Sequence, residues 1–288
     1  MNVSLRKLRK QLSVPRIVLV AALTAVGLFM LLPIIFLFNH AFKPLNELFL
    51  YPPTIFVQQP TWRNFEQLLL HSSAGLVPFT RYLFNSAVIS AISTAAVILV
   101  STMAGYVLSK HHFHFKAIIM GLILISLMFA PETVAIPRYL VISELGLKDT
   151  YFAHILPFIA SPIAVFLMKQ FIDQIPASLT DAAKLDGATD MYIFTRIIIP
   201  LTAPAVATVS IITFQAVYLD VETSTFFMTK ETMKTLAYYA TALTVNVPGV
   251  AATSLAAAIG LIMFLPNLIM FLLFQRKMIQ TMLHSGVK

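Results

Sequence analysis

Long, uninterrupted runs of apolar residues dominate this sequence and are separated by shorter polar segments. Several runs reach about 18 residues or more, the length at which an α-helix rising about 1.5 Å per residue crosses a bilayer. The runs do not alternate with polar residues, so they predict helices and not the strands of a barrel. We therefore predict an all-α polytopic membrane protein with six spans, at Ile17–Phe38, Leu83–Leu108, Ala117–Val134, Phe152–Met168, Thr202–Leu219 and Ala251–Phe274.

Prolines interrupt two of the predicted spans. Proline has no backbone N–H to donate, and its ring clashes with the preceding helical turn. We therefore expect Pro131 and Pro137 to end or kink the third span. Pro157 and Pro162 are expected to make the fourth span irregular.

The first apolar run is long for a signal peptide and has no small-residue cleavage site after it, so it predicts a retained span.

Composition supports the membrane assignment and excludes other classes. Hydrophobic residues make up 58% of the 288 residues and charged residues 11%. The net charge of +8 comes from Lys and Arg near the ends of spans, with no basic patch interleaved with aromatic residues, so we expect no nucleic-acid partner. The absence of cysteine removes disulfides and thiolate chemistry. His111, His112 and His114 predict a solvated basic turn and no metal site, because metal ligands must converge.

The distribution of Lys and Arg predicts the orientation. Thirteen of the 20 such residues fall on one side of the predicted spans, and five of them lie among the first sixteen residues. Positive residues favour the cytoplasmic side, so we expect both termini and residues 169–201 to be cytoplasmic. The predicted organisation is a cytoplasmic N-terminal segment, a transmembrane domain with two long external loops, and a cytoplasmic tail, at 1–16, 17–275 (loops 39–82 and 220–250) and 276–288.

The most informative polar segment, DAAKLDGATDMYIFTRIIIP, begins at Asp181 between two apolar runs. Pro176 is expected to open a helix, with Ser178 as its N-cap and Asp181 bonding back to the cap. Ala182 and Ala183 favour a helix whose face another surface can approach closely. The residues alone leave two interpretations open: a docking surface, or a loop that only connects two spans.

A turn and a second short helix are predicted to follow. Gly187 suits the left-handed residue that terminates many helices. Thr189 or Asp190 can cap the next helix, which we expect to end before Pro200. Pro204 suits the first turn of the fifth span.

This segment resembles the permease motif of bacterial ABC importers, which reads Glu-Ala-Ala, three residues, Gly, nine residues, Ile, one residue, Leu-Pro. The matching positions are Asp181, Ala182, Ala183, Gly187, Ile197, Ile199 and Pro200. Other stretches are similar to the carbohydrate-uptake branch of that family: YLFNSAVIS (82–90), MAGYVLSKHHF (103–113), GLKDTYFAHILP (146–157) and LPNLIMFLLFQRKMIQTMLHSGVK (265–288). Asp replaces the motif's Glu, and FQAVYLDVET (214–223) lacks the Trp and Asn that the branch often has there.

The resemblance implies a type I ABC importer permease fold, similar to the six-span second subunit of maltose permeases, in the bacterial inner membrane. It implies a second permease subunit, two ATPase subunits and an external solute-binding protein as partners. The implied substrate is a carbohydrate, and an oligosaccharide is favoured. The chain has no Walker A pattern, so ATP and Mg²⁺ are expected on the partner ATPases, with no cofactor and no catalytic residue in this chain. The implied coupling helix docks on an ATPase through Asp181, Ala182, Ala183, Leu185, Asp186, Gly187 and Ala188.

Polar residues inside the spans are candidates for a substrate path. Gln215 and Tyr218 lie three residues apart and so share a helix face, and polar groups within the bilayer usually face the bundle interior. Asn85 and Ser86 lie near the start of the second span. Each pair has two interpretations, contact with the carbohydrate or hydrogen bonding between helices.

Two other classes of function are weighed against the importer. A secondary, ion-coupled transporter would need a buried charge and broken helices in inverted repeats, but the span interiors are nearly free of charge. An integral membrane enzyme would need a His, Asp or Glu cluster at one membrane depth, which the sequence does not show. We therefore expect an importer permease, with the secondary transporter as the alternative.

Overall fold

Helices are the only regular elements in the part of the chain that the computed structural model describes, residues 14–48, 50–51, 54, 56–74, 77–246 and 251–285. This confirms the all-α prediction. The described residues form two compact units, one within residues 1–68 and 246–261 and the other within residues 69–245 and 262–288.

The first unit contains a long apolar helix, α1 (Val14–Phe42), followed by the short helix α2 (Leu45–Leu48). None of the most hydrophobic stretch of α1 is buried within the chain, as expected for a helix that faces lipid or another subunit. Hydrogen bonds fix the segment that follows. The Asn64 amide donates to the carbonyls of Ala41 and Lys43, both at 2.9 Å.

The second unit is built around α4 (Phe79–Lys110), a helix of 32 residues and therefore about 48 Å long. Two helices, α3 (Arg63–Ala74) and α15 (Ala251–Ser285), contain residues of both units. The other helices of the second unit are α5 (Lys116–Ser126), α6 (Ala135–Glu144), α7 (Tyr151–Ile159), α8 (Pro162–Asp173), α9 (Ala177–Leu185), α10 (Asp190–Ile193), α11 (Ile199–Leu201), α12 (Ala203–Tyr218), α13 (Glu222–Phe227) and α14 (Leu236–Asn246), with a π-helical turn at Phe194–Ile198 and 3₁₀ turns at Pro131–Val134 and Glu231–Met233.

α4 packs most closely against α8. A Cβ atom at Gly105 of α4 would lie 3.0 Å from both the Met168 Cβ and the Lys169 backbone nitrogen. In the same interior, Val97 of α4 clusters with Met168 and with Val209 of α12. Glycine at position 105 therefore allows the backbones of α4 and α8 to approach closely.

Three helices, α1, α4 and α15, are each long and apolar enough to cross a membrane. Three bent pairs meet the same criteria together: α5 with Pro131–Glu144 at 110°, α7 with α8 at 44°, and Asp190–Leu201 with α12 at 75°. If each bent pair is one span, the described residues hold up to six, which is the number the hydrophobic pattern predicts.

The expected break in the third span is confirmed at Pro131, although the helix stops before the predicted bound at Val134. The apolar run predicts one helix over Ala117–Val134, but α5 ends at Ser126 and Pro131 begins a separate 3₁₀ turn. A proline drives the residue before it towards extended backbone, and Ala130 has φ −69° and ψ 139°. Helix therefore cannot continue through this point, and the chain changes direction by 110°.

The fourth predicted span consists of two helices. α7 ends at Ile159, and the Ser161 hydroxyl accepts a hydrogen bond from the Ala164 N–H at 3.4 Å, which caps α8 at Pro162. The expected irregularity is confirmed at Pro162, whereas Pro157 lies within α7.

Replacing Gly105 with Ala is expected to destabilise the protein, because α4 and α8 must separate to admit the new methyl group. Overpacking of this kind costs about 1–3 kcal/mol of unfolding free energy. Thermal unfolding of the purified protein measures the change. Gly121→Ala in α5 is the matched control, since nothing lies within 4 Å of a Cβ there. Equal unfolding temperatures for the two variants would contradict the close approach.

Candidate functional site

A helix, a short turn and a second helix follow α8. α9 ends in a Schellman motif centred on Gly187, whose φ is +82°. The Gly187 N–H donates to the Lys184 carbonyl at 3.0 Å, and the Ala188 N–H donates to the Ala183 carbonyl at 2.9 Å. Glycine adopts this left-handed backbone at no steric cost. The prediction that Gly187 terminates a helix is confirmed.

Thr189 starts the second helix. Its hydroxyl accepts a hydrogen bond from the Tyr192 N–H at 3.3 Å, so Thr189 is the N-cap and Asp190 is the first helical residue. One residue thus lies between the left-handed glycine and the next cap. This short connection fixes the angle between α9 and α10.

Two local predictions in this segment are wrong. Ser178 does not cap α9, because Pro176 occupies the capping position and the helix already includes Ala177. The second helix does not end before Pro200. It continues through the π-helical turn to α11, where Pro200 lies in a first turn that does not need its N–H, and the break falls at Thr202.

The predicted docking residues divide into an inner and an outer set. Ala183 and Ala188 are half-buried and pack on an apolar cluster that includes Tyr106, Ile172 and Ile193. This cluster holds one face of the helix–turn–helix segment in place. The exposed set consists of Asp181, Ala182, Leu185, Asp186 and Gly187, and Leu185 is 89% exposed.

An open cleft of about 600 Å³ lies beside the turn. Small residues line part of it and allow a partner's side chain to come close to the backbone. Asp186 and Arg196 offer charges of both signs, and Tyr192 offers an aromatic face. The cleft and the exposed Leu185 together form a surface with both apolar and charged contacts available.

Hydrogen bonds tie the start of α9 to the end of α4. The Asp173 carboxylate accepts from the Ser109 hydroxyl at 2.6 Å and from Lys169 Nζ at 2.5 Å. Lys110 Nζ donates to the Ile175 carbonyl at 2.6 Å. Sequence pattern alone does not single out these residues, because polar groups at the ends of spans are usually solvated.

Asn85 and Ser86 lie at the opposite end of α4, and both are buried. Asn85 Nδ2 donates to the carbonyls of Thr232 and Lys234 at 2.9 and 2.8 Å. The Ser86 hydroxyl accepts from the Leu236 N–H at 2.8 Å. These contacts hold the segment between α13 and α14, as the packing interpretation expects. A contact with substrate stays a prediction for both residues.

Gln215 and Tyr218 lie in different surroundings. Gln215 is exposed, whereas Tyr218 is buried and stacks on Phe214 with ring centroids 5.3 Å apart. Among the described residues, the Tyr218 hydroxyl has no hydrogen-bond partner. A buried hydroxyl without a partner costs about 1–3 kcal/mol, so this group has capacity for a ligand or water.

The residues that the structure describes bring no three His, Asp or Glu side chains together in an arrangement able to hold a metal ion. His111 makes an edge contact with Tyr106, with ring centroids 5.2 Å apart.

Known proteins resemble the chain along most of its length. The arabinooligosaccharides transport system permease protein AraQ of Bacillus subtilis (strain 168) is 35% identical over 195 residues, which cover 68% of this chain and 69% of that protein. The trehalose transport system permease protein SugB of Mycobacterium tuberculosis (strain CDC 1551 / Oshkosh) is 28% identical over 277 residues, covering 90% and 92%.

A solved structure shares the fold. A bacterial ABC transporter involved in the import of the acidic polysaccharide alginate has a chain that matches with a TM-score of 0.78, covering 91% of this chain and 96% of that chain at 20% identity. A second structure of a bacterial alginate transporter matches with a TM-score of 0.58, covering 91% of this chain and 94% of that chain at 18% identity. That transporter is in complex with an alginate pentasaccharide-bound periplasmic protein. The family described as binding-protein-dependent transport system inner membrane component matches residues 4–278, and this chain therefore belongs to that family of multi-pass membrane permeases.

Proposed function

We propose that this chain is the transmembrane permease subunit of an ATP-driven importer and that α9 is the helix on which a partner ATPase docks. The observation that carries the proposal is the asymmetry of α9. Its inner face is anchored on the cluster around Ile172 and Ile193, while its outer face and Leu185 are free of contacts that would bury them. A helix held on one side and bare on the other can pass a partner's movement into the bundle.

The proposed partners follow from this role. ATP and Mg²⁺ bind to two ATPase subunits and not to this chain, a second permease subunit completes the membrane pathway, and an external solute-binding protein delivers the substrate. Both termini and α9 face the cytoplasm. The exposed length of α1 supports contact with lipid and with the second permease. Transport proceeds by alternating access, in which closure of the ATPases moves the coupling helices.

The proposed substrate is a carbohydrate, with an oligosaccharide favoured. Support comes from relatives named for arabinooligosaccharide and trehalose transport and from the fold shared with an alginate importer. The ion-coupled alternative is less well supported, because the family is one of binding-protein-dependent systems and the span interiors are nearly free of charge.

Reconstitution tests the proposal directly. The chain is co-expressed with the permease, ATPase and binding-protein genes next to its own and placed in proteoliposomes. We expect the ATPase to co-purify, and the loaded binding protein to stimulate ATP hydrolysis and ATP-dependent uptake of the oligosaccharide. Uptake driven by an ion gradient in the absence of the ATPase would contradict the proposal.

Gly187→Val is expected to uncouple ATP hydrolysis from transport while the two permease subunits still assemble. A β-branched residue is strained at φ +82°, so the Schellman turn must rearrange and the angle between α9 and α10 changes. The measurement is the ratio of ATP hydrolysed to substrate transported in proteoliposomes.

Gly146→Val is the matched control. Gly146 has φ +67° and terminates α6 with the same pair of hydrogen bonds, from its own N–H to Ser143 and from Leu147 to Ile142. Both glycines have nothing within 4 Å of a Cβ position, so the two variants carry similar backbone strain. Only Gly187→Val should change coupling. A wild-type ratio in Gly187→Val, or the same change in both variants, would contradict the docking role.

Tyr218→Phe separates a substrate contact from helix packing. The hydroxyl has no partner among the described residues, so its removal should leave thermal stability unchanged or slightly higher. Loss of one substrate hydrogen bond should raise the apparent KM for uptake by roughly tenfold. In the control Tyr82→Phe, a hydroxyl that donates to Glu231 at 3.0 Å is lost, and stability should fall. Unchanged transport in Tyr218→Phe would contradict a substrate contact and assign Tyr218 to helix packing.

A further inference from the structure

A chain of hydrogen bonds links α7, α13 and the segment before α14. His154 Nδ1 lies 2.7 Å from the Thr223 hydroxyl oxygen, and that hydroxyl is hydrogen-bonded to Asp220 Oδ2. On the other side of the ring, His154 Nε2 lies 3.0 Å from the Met233 carbonyl oxygen. Nothing in the proposed transport role uses these side chains.

These hydrogen bonds need one hydrogen more than a neutral His154, the Thr223 hydroxyl and an ionised Asp220 supply. The Met233 carbonyl can only accept, so His154 Nε2 must carry a hydrogen. Two more hydrogen bonds, from His154 Nδ1 to Thr223 and from Thr223 to Asp220, then need two hydrogens. The Thr223 hydroxyl supplies one of them. The second must sit on His154 Nδ1 or on the Asp220 carboxyl group.

We propose that Asp220, Thr223 and His154 form a site that binds one proton at neutral pH. The proton has two equivalent placements: a carboxylic acid with a neutral imidazole, or a carboxylate with an imidazolium. Both forms have the same proton count, and the titration belongs to the pair. We call these three residues the proton site.

Burial favours retention of the proton. His154 is 0% exposed and Thr223 is 2% exposed. Loss of the proton would leave a net negative charge beside these buried side chains, which is costly. If the Thr223 hydroxyl then donates to Asp220, the lone pair of His154 Nδ1 faces the Thr223 oxygen without a hydrogen bond. Burial also raises the pKa of the Asp220 carboxyl group, although its hydrogen bonds with Thr223 and the charge of Arg138 oppose that rise.

The charges around the proton site are already compensated. Arg138 of α6 pairs with Glu222 of α13 at 3.0 Å, and Lys234 pairs with Glu231 at 2.6 Å. Both cations therefore already have a carboxylate partner, although the charge of Arg138 still favours an ionised Asp220. The elements packed around the site also carry other titratable groups: Arg81, Tyr82, Tyr106 and Lys110 of α4, Tyr139 and Glu144 of α6, Tyr151 of α7, and Tyr218 of α12.

The bound proton fastens the segment before α14. Met233 is held through its carbonyl by His154, and the Thr235 hydroxyl donates to the Asp220 carbonyl at 3.3 Å. Ser224 of α13 also contacts the Thr235 hydroxyl at 3.0 Å. Removal of the proton breaks the link between His154 and Thr223 and loosens α7 from α13.

The pH dependence of unfolding measures the extra proton. An unfolded chain has ordinary pKa values of about 6.5 for His and 3.9 for Asp, so above about pH 7 it binds neither proton. The folded state binds one more proton there, and stability must fall as pH rises. One proton corresponds to a change of about tenfold per pH unit in the unfolding equilibrium constant.

Asp220→Asn should remove this slope between about pH 7 and about pH 9, because an amide has no proton to lose in that range. The slope of stability against pH is the quantity to compare, and not stability at a single pH. The Thr223 N–H donates to Asp220 Oδ2 at 3.0 Å, so the variant can also shift stability by an amount that does not depend on pH. His154→Gln is a second variant that should also flatten the curve. Thermal unfolding of the purified full chain in detergent provides the readout.

Asp149→Asn is the matched control. The Asp149 carboxylate also bonds to a threonine, accepting from the Thr229 N–H at 2.7 Å and the Thr229 hydroxyl at 2.5 Å, but no histidine lies beyond it in that chain of bonds. Those bonds lower the pKa of Asp149, so its stabilisation is lost only as pH falls through the acidic range. Between about pH 6 and about pH 9 its curve should run parallel to wild type. Parallel curves for Asp220→Asn and His154→Gln as well would overturn the proton site.

Discussion

The close approach of α4 and α8 at Gly105 is the contact on which the polar bonds leading into α9 depend. In a bilayer, helices gain little from hiding apolar surface from one another, so close packing and hydrogen bonds must hold them together. Gly105 provides the close packing. One turn further along, Ser109 reaches Asp173 at 2.6 Å. The packing of two backbones therefore fixes the position of a polar bond, and that bond fixes the start of α9.

α4 connects the two ends of the second unit. At one end Lys110 bonds to the carbonyl of Ile175, just before α9. At the other end Asn85 and Ser86 hold the segment before α14. An uninterrupted helix transmits displacement along its axis, because each of its backbone hydrogen bonds resists stretching. α4 therefore joins the segment before α9 to the opposite polar segment through one continuous helix. Both ends of this connection use side chains that are positioned by packing and not by local sequence.

The helices and some of their ends could be predicted from the sequence, because they follow from the length of the apolar runs and the backbone preferences of single residues. The apolar runs gave the location of the helices, since satisfying the backbone in a bilayer leaves few alternatives. Gly187 was predictable because few residues tolerate a left-handed terminator. Pro131 predicted a break between α5 and α6 but not its angle of 110°, since neither a proline nor an apolar run specifies direction. Long-range bonds such as His154 with Met233 and Asn85 with Thr232 have no local signature in sequence.

The proton site joins residues that lie far apart in the sequence. Asp220 and Thr223 lie in the stretch FQAVYLDVET, at 214–223, and His154 lies in α7. A charge beside buried groups is costly unless it is compensated. Arg138 and Lys234 already pair with Glu222 and Glu231, so the proton shared with His154 is the compensation that the three residues supply themselves. The packing of α7 against α13 therefore creates the site, and no local pattern in either stretch predicts it.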